Sequence, residues 1–158
     1  MSEILDIEDC DTLFLDRDGV INRHRPDDYV KSWDEFEFLP EIVELFPLLN
    51  KKFKRIIVVT NQRGVGKGVM TEANLIDIHS KMTTKIREIG GRIDKIYYCT
   101  DTNNDSPNRK PNIGMALQAK ADFPEIDFSK SIMVGDSQSD IDFGKNAGMK
   151  TFLLKKKI

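Results

Sequence analysis

Cysteine, charge of one sign and long apolar runs are all scarce in this chain of 158 residues. Two cysteines, Cys10 and Cys99, are too few for a disulfide framework, and no apolar run reaches the length of a signal peptide or a membrane span. These absences argue against a disulfide-stapled secreted scaffold and an integral membrane protein. We therefore expect a soluble, cytoplasmic protein with no membrane partner.

The charges of the chain are nearly balanced. It carries 26 Asp and Glu residues against 24 Lys and Arg residues, a formal net charge of −2 at pH 7. No broad basic face for nucleic acid is predicted, and we interpret the lysine triplet at 155–157 as a solvated tail. Small molecules, and not nucleic acids, are the expected partners.

The length fits a single domain over residues 1–158, with enough chain to bury a core. Short β-branched runs alternate with segments of helical period, which is typical of a parallel α/β sheet. Strands are predicted at 13–16, 55–60, 95–99, 132–135 and 151–154. Helices are predicted at 40–49, where Pro47 should kink or shorten the helix, and at 72–89, 112–121 and 138–147. We predict an α/β, Rossmann-like three-layer sandwich around a mainly parallel five-stranded sheet.

The segment T-L-F-L-D-R-D-G-V-I-N is the most informative in the chain. Its apolar run ends at Asp16, and Asp18 follows on a turn that contains a glycine. Two carboxylates at one edge of a sheet can hold a hard cation and can attack or protonate a phosphate ester. Because a lone D-x-D-G is also an ordinary polar turn, the other strand ends must decide between the two interpretations.

Polar residues follow the other predicted strands as well, and open parallel sheets bind ligands at that edge. These residues are Thr60, Asn61, Gln62, Arg63, Arg109, Lys110, Asp136, Ser137 and Asp140. A phosphate monoester requires a cation, a lysine and hydroxyl donors around its charge. A carboxylate nucleophile would form an aspartyl phosphate, and the second aspartate would donate and then accept a proton.

Four motifs, F-L-D-R-D-G-V-I-N, V-V-T-N-Q, R-K-P and V-G-D-S-Q-S-D, stand in the order found in haloacid dehalogenase-like (HAD) phosphohydrolases, and the chain resembles that superfamily over residues 14–140. The strings D-Y-V, F-E-F-L-P, T-N-Q-R-G-V-G-K-G, Y-Y-C and R-K-P-N-I-G-M resemble one branch of it. That branch holds D-glycero-D-manno-heptose 1,7-bisphosphate phosphatases and histidinol-phosphatases.

The resemblance implies a role for each matching residue. Asp16 would be the nucleophile and a Mg²⁺ ligand, Asp18 the general acid and base with its backbone carbonyl on the metal, and Asp136 the third ligand. Thr60 and Lys110 would hold the phosphoryl group, and Asp140 would support the loop. The implied substrate-binding residues are Arg17, Asp28, Tyr29, Asn61, Gln62, Arg63 and Arg109.

The chain also departs from the branch pattern. Relatives carry a zinc loop after Y-Y-C, but three of its four ligands are absent from residues 99–108, so zinc is not expected. Since that loop shapes the substrate pocket in relatives, the exact substrate stays open. Too few residues follow Asp18 or Cys99 for a separate cap domain, which predicts an open site covered by the substrate or by a lid-supplying partner.

The leading hypothesis is a magnesium-dependent phosphatase that removes the 7-phosphate of a heptose 1,7-bisphosphate, acting as a monomer. Histidinol-phosphatase or polynucleotide 3′-phosphatase-like activity is an alternative with the same chemistry. A receiver-like phospho-acceptor domain is an alternative of another class, but its aspartate would follow the third strand, where this chain has Cys99.

Two other features have simpler interpretations. The glycine-rich segment 64–68 lacks the Walker spacing and is interpreted as a flexible turn. His79 has no second ligand nearby in the pattern and is interpreted as a surface or boundary residue.

Overall fold

The structure, a computed structural model, describes residues 1–154, so the lysine triplet lies outside the described residues. One sheet contains five strands: β1 (Thr12–Leu15), β2 (Arg55–Asn61), β3 (Lys95–Cys99), β4 (Ser131–Gly135) and β5 (Lys150–Leu153). Their order is β3-β2-β1-β4-β5, and every neighbouring pair is parallel. The predicted five-stranded α/β fold is confirmed.

Five α-helices accompany the strands in the described part of the chain. They are α1 (Pro40–Lys52), α2 (Arg63–Gly66), α3 (Glu72–Glu88), α4 (Gly114–Asp122) and α5 (Gln138–Ala147). Thr71 begins α3 through a capping box with Asn74, and Gly148 ends α5 with a φ of 89°. Segment 64–68, predicted as a turn, contributes most of the short helix α2.

Two helix boundaries differ from the prediction. Helix α1 is not shortened at Pro47 but runs on to Lys52, because the apolar face that includes Phe46 and Leu49 is fully buried. Helix α4 begins at Gly114 and not at residue 112, because the Asn112 side chain donates to the Ser106 carbonyl.

Helices cover both faces of the sheet. The core on one face contains α1 and α3 residues packed on side chains such as Leu15 and Val58, and the core on the other contains α4 and α5 residues packed on Phe14 and Val59. Successive strand residues point to opposite faces, so a central strand buried on both sides is apolar throughout. These three layers explain the unbroken apolar runs of β1, β2 and β4.

Strand β1 lies at the point where the strand order reverses. It pairs with β2 on one side and β4 on the other, with Leu15 opposite Val58 and Val134. Parallel strands present their carboxyl ends at one edge, and the reversal opens a crevice there. The residues after β1, β2 and β4 therefore converge.

The connections leave this edge without a helical cap among the described residues. Between β1 and α1 the regular structure is a single 3₁₀ turn (Trp33–Glu35), beside which the Trp33 and Phe36 rings stack at 4.9 Å. No helix lies between β3 and α4. Within the described chain, no helix combines the length and the apolar character needed to span a membrane.

Candidate active site

Asp16 follows β1 directly and is nearly buried. Its backbone N–H donates to the Val134 carbonyl at 3.0 Å, which extends the parallel pairing by one residue. Its Oδ1 atom accepts a hydrogen bond from Lys110 Nζ at 2.9 Å. The sheet therefore fixes the backbone of Asp16, and a lysine fixes one of its carboxylate oxygens.

Lys110 connects the strand ends. Its Nζ donates to Asp16 Oδ1, to Asp140 Oδ1 at 2.7 Å and to the Val59 carbonyl at 2.9 Å. Asn61 positions the lysine backbone, because its Oδ1 accepts from Lys110 N at 3.1 Å and its Nδ2 donates to Lys110 O at 3.3 Å. Asn61 thus holds the Lys110 backbone at the end of β2, and its predicted contact with substrate stays a prediction.

The site carries more negative than positive charge. Burial raises the pKa of Asp16 to about 8, and Asp140 and Asp18 add to the rise while Lys110 opposes it. Burial by itself would lower the pKa of Lys110, but the charges of Asp16 and Asp140 outweigh it and raise that pKa. The lysine therefore stays charged beside several carboxylates, and a divalent cation would balance the negative charge that the lysine leaves uncompensated.

The oxygen atoms available to a cation come from three aspartates. Carboxylate oxygens of Asp16, Asp136 and Asp140 lie within 4.8 Å of one another. Asp140 is already occupied, since its Oδ2 accepts from the backbone N–H groups of Asp136 and Ser137, both at 3.2 Å, and from Ser137 Oγ at 2.9 Å. Asp16 and Asp136 form an all-oxygen donor pair of the kind that suits Mg²⁺.

Gly19 lets the turn after Asp18 pass directly beside Asp136. Its φ is +88°, and a Cβ atom built there would lie 1.9 Å from Asp136 Oδ2. Glycine is the residue that tolerates both this backbone conformation and this approach. The glycine of the D-x-D-G motif is therefore needed to seat Asp136.

We expect Gly19→Ala to lower phosphatase turnover about 10²-fold, since misplacing a catalytic group by 1 Å has an effect of that size. Gly68→Ala is the matched control, because Gly68 also has a positive φ of +74° but nothing within 4 Å of a built Cβ. Both variants should lose roughly 1–2 kcal/mol of stability from backbone strain. Equal turnover in the two variants would contradict this account of Gly19.

Asp18 is held by three N–H donors. Arg17 Nη2 and Asn22 Nδ2 both donate to Oδ1 at 2.9 Å, and Gln62 Nε2 donates to Oδ2 at 2.9 Å. Burial opposes the charged form, but Arg17 and the hydrogen bonds lower the pKa of Asp18 below its ordinary value. The two aspartates of the motif thus have opposite pKa shifts, because Asp16 is buried beside other carboxylates and Asp18 is held by N–H donors.

Thr60 lies beside this carboxylate. Gln62 Nε2 also donates to Thr60 Oγ1 at 2.9 Å, so the threonine O–H stays available as a donor to a ligand. Gln62 itself is buried with its amide on Asp18, which makes it a support for that carboxylate.

The substrate contact predicted for Arg17 does not fit its place in the fold. Arg17 is 0 % exposed, and its guanidinium is occupied by Asn22 Oδ1 at 3.2 Å, by Asp18 and by His79 Nε2 at 3.1 Å. His79 is 6 % exposed, so its interpretation as a surface or boundary residue is wrong. Its position between the buried Ile78 and Met82 of α3 was the available signal.

The remaining predicted substrate residues lie around the edge of the site. Tyr29 packs its ring on Gly64, and Asp28 is half-exposed and ion-paired with Lys31 at 3.0 Å. Among the described residues, Arg63 Nε and Arg109 Nη1 are buried nitrogen atoms without a hydrogen-bond partner. These two arginines therefore retain buried donors for a ligand.

Sequence and structure comparisons match the chain to known proteins over most of its length. A family model described as "Polynucleotide kinase 3 phosphatase" matches residues 9–154. A D-glycero-alpha-D-manno-heptose-1,7-bisphosphate 7-phosphatase from Burkholderia mallei is 41% identical over 150 residues, which cover 90% of this chain and 78% of the relative. An enzyme of the same name from Mycobacterium tuberculosis is 38% identical over 135 residues, covering 85% and 71%.

The fold agrees with solved structures of such enzymes. The crystal structure of D,D-heptose 1,7-bisphosphate phosphatase from B. bronchiseptica, complexed with magnesium and phosphate, superposes with a TM-score of 0.83 at 33% identity. That match covers 90% of this chain and 79% of the other. The chain therefore belongs to the HAD-like phosphatases, the phosphoric monoester hydrolases that include the D-glycero-D-manno-heptose-1,7-bisphosphate 7-phosphatases.

Proposed function

We propose that this protein is a magnesium-dependent phosphatase that removes the 7-phosphate of D-glycero-D-manno-heptose 1,7-bisphosphate through a phospho-Asp16 intermediate. The observation that carries the proposal is the placement of two aspartates with different partners at one edge of the sheet. Asp16 Oδ1 accepts from the buried Lys110 and lies beside the carboxylate oxygens of Asp136, and the Asp18 carboxylate accepts from three N–H donors. Asp16 is placed to attack beside a cation site, and Asp18 to exchange protons.

In the first step, a carboxylate oxygen of Asp16 attacks phosphorus, the bond from phosphorus to the sugar oxygen breaks, and Asp18 gives its proton to that oxygen. In the second step, Asp18 takes a proton from water, whose oxygen attacks phosphorus and releases Asp16 and inorganic phosphate. The donors on Asp18 favour its carboxylate, the form used in the second step, so the first step draws on the minority protonated form.

Thr60 and Lys110 hold the transferring phosphoryl group in this proposal. The Thr60 hydroxyl has an uncommitted proton, and the Lys110 N–H that bonds Asp16 in the free protein can turn to a phosphoryl oxygen. Mg²⁺, held by Asp16, Asp136 and the Asp18 carbonyl, would neutralise the phosphate charge when bound.

A bisphosphate has a second phosphate, and Arg63 and Arg109 supply a place for it. Burial lowers the pKa of Arg109, and the positive charge of Arg63 lowers it further. Each also has a buried N–H without a partner among the described residues. An anion between them would relieve the repulsion and accept both bonds.

We expect Arg109→Met to raise the KM for the bisphosphate about 10–100-fold, the loss of one hydrogen bond to a charged group. Hydrolysis of an aryl phosphate, which lacks the second phosphate, should change little. Arg87→Met, which removes an exposed arginine at the far end of α3, is the control. An equal loss of activity on both substrates would show that Arg109 does not bind the second phosphate. Steady-state kinetics with both substrates provide the test.

We propose that the protein uses no zinc. The loop that would carry the zinc ligands is held by Ser106, whose Oγ donates to Asp101 Oδ2 and accepts from Asn108 N at 3.3 Å. Cys99 Sγ lies 4.0 Å from the same hydroxyl. The hydrogen bonds of Ser106 thus order this loop from its own residues.

Treatment with EDTA should abolish activity, and Mg²⁺ alone should restore it fully, because the proposed donors are carboxylate and carbonyl oxygens. Elemental analysis of the purified protein should give well under one zinc per chain. Stoichiometric zinc, or a melting temperature that falls when a zinc-selective chelator is added, would refute the proposal that the loop binds no zinc.

The substrate is tested by phosphate release with Mg²⁺ from both anomers of the heptose 1,7-bisphosphate, histidinol phosphate, a 3′-phosphorylated oligonucleotide and an aryl phosphate. The proposal requires the highest kcat/KM for a heptose anomer. A preference for the oligonucleotide would instead favour the activity in the name of the matching family model. We further propose that the protein works in the cytoplasm as a monomer and binds no nucleic acid. Sedimentation of the purified chain would test whether it is a monomer.

A further inference from the structure

His79 occupies a position in α3 where the sequence pattern calls for an apolar residue. Its neighbours on the buried face of the helix are Leu75, Ile78, Met82 and Ile86, all fully buried. The ring has a polar contact with Arg17, from Nε2 to Nη1 at 3.1 Å, and it lies near the tilted Tyr98 ring at 5.8 Å between centroids. A buried histidine directed at a buried arginine needs an explanation beyond packing.

Arg17 divides its guanidinium among three partners. Nε donates to Asn22 Oδ1 at 3.2 Å, Nη2 donates to Asp18 Oδ1 at 2.9 Å, and Nη1 points at His79. The Phe36 ring covers the group, with its centroid 5.9 Å from Cζ. A planar guanidinium with one partner on each nitrogen has a fixed orientation, and removing one partner loosens that orientation.

Arg17 is one of the two residues that donate to Asp18 Oδ1, and it orients the other, Asn22. Asn22 Nδ2 donates to that oxygen at 2.9 Å while Asn22 Oδ1 accepts from Arg17 Nε. Rotation of the guanidinium would therefore disturb two of the three bonds on the Asp18 carboxylate. The third, from Gln62, reaches the other oxygen.

We propose that His79 is a positioning residue for proton transfer: by fixing Arg17 it holds the Asp18 carboxylate in the orientation that serves the leaving group. Since Arg17 can only donate, Nε2 must be the accepting nitrogen and the ring proton lies on Nδ1. The proposal rests on the general acid and base role of Asp18 proposed above.

The ring remains neutral in this role. Burial lowers the pKa of His79 to about 3, and the positive charge of Arg17 lowers it further. A neutral ring is a hydrogen-bond acceptor of fixed geometry, whereas a charged one would repel Arg17. His79 therefore acts through its lone pair and transfers no proton itself.

The test uses the dependence of the reaction on its leaving group. A sugar phosphate leaves as a strongly basic alkoxide and needs the proton of Asp18, whereas p-nitrophenyl phosphate leaves as a weakly basic phenolate and needs it little. The ratio of kcat/KM for the two substrates reports on the acid step, because kcat/KM covers the reaction up to formation of the phospho-enzyme. A merely structural role would change both values together.

We expect His79→Leu to lower kcat/KM for an aliphatic sugar phosphate about 10–100-fold, part of the effect of general acid catalysis, and that for p-nitrophenyl phosphate less than about 3-fold. His79→Gln places an amide oxygen near the position of Nε2 and should restore most of the ratio. Ile78→Val, on the same buried face, is the control that lowers the melting temperature and leaves the ratio unchanged.

Because His79→Leu leaves a buried arginine without one partner and lowers stability, Arg17→Met supplies a second route. In the Arg17→Met background, adding His79→Leu should produce no further change in the ratio, because the residue that His79 positions is gone. An equal loss on both substrates, or a further change of ratio in that background, would overturn the proposal. If the wild-type protein showed no hydrolysis that depends on Asp16, the proposed function would be refuted instead.

Discussion

Asp16→Asn is expected to lower kcat by at least about 10⁴-fold on every phosphate monoester, because removing a covalent nucleophile has effects of this size or larger. An amide oxygen cannot form the acyl phosphate, and two neighbouring carboxylates are held by other partners. Asp140 is occupied by Lys110 and by the N-terminus of α5, and Asp18 by three donors. Rapid-quench measurement with ³²P-labelled substrate should find an acid-stable phospho-enzyme in the wild-type protein and none in the variant.

Asp11→Asn is the matched control, since Asp11 flanks β1 at its other end and pairs with Arg55 at 3.2 Å. It should retain wild-type turnover with a small loss of stability, as expected for an ion pair near the surface. Wild-type turnover by Asp16→Asn would contradict the covalent mechanism. Loss of turnover in both variants would indicate damage to β1 and not to the chemistry.

Asp16→Asn should also change the stability of the protein in a pH-dependent way. The pKa of Asp16 is raised to about 8, so its protonated form favours folding below the ordinary aspartate pKa, and this contribution disappears as the pH rises through 8. Asparagine stays neutral throughout. In metal-free buffer the melting temperature of Asp16→Asn, relative to wild type, should therefore be higher at pH 8.5 than at pH 4.

The fold could be predicted from the sequence because its signals are local. Each central strand is an apolar run that ends at a polar residue, and α3 has both a cap at Thr71 and a periodic buried face. The motifs then predicted that Asp16, Asp18 and Asp136 converge, since motifs at the carboxyl ends of parallel strands share one edge. These predictions required no knowledge of which side chains touch.

The support of the site could not be predicted, because it consists of contacts between residues far apart in the chain. His79 bonds Arg17 across 62 positions, and Asn61 bonds Lys110 across 49. Both Arg17 and Asn61 stand beside residues to which the motifs assign chemistry, which suggested substrate contact. In the structure Arg17 bonds Asp18 and Asn61 bonds the Lys110 backbone, so each holds a residue that has a role in the proposed mechanism.

Lys110→Met should be the most destabilising substitution in the site. The lysine is buried, and it pairs with Asp16 and Asp140, which the substitution would leave as two buried carboxylates without a cation. Breaking a buried pair by removing one partner costs about 3–5 kcal/mol, so we expect a large fall in melting temperature. Turnover should fall about 10²–10³-fold as well, the usual effect of losing a donor to the transition state.

The effects of Lys110→Met on stability and on catalysis can be separated with a second substitution. Asp16 is the proposed nucleophile, whereas Asp140 supports the start of α5. Asp140→Asn in the Lys110→Met background removes one stranded charge and keeps an oxygen to accept the N–H groups at the start of α5. This double variant should regain much of the lost stability, measured by denaturant unfolding, and none of the lost turnover. If turnover returned together with stability, Lys110 would serve only to neutralise the buried carboxylates, and its proposed contact with the phosphoryl group would be wrong.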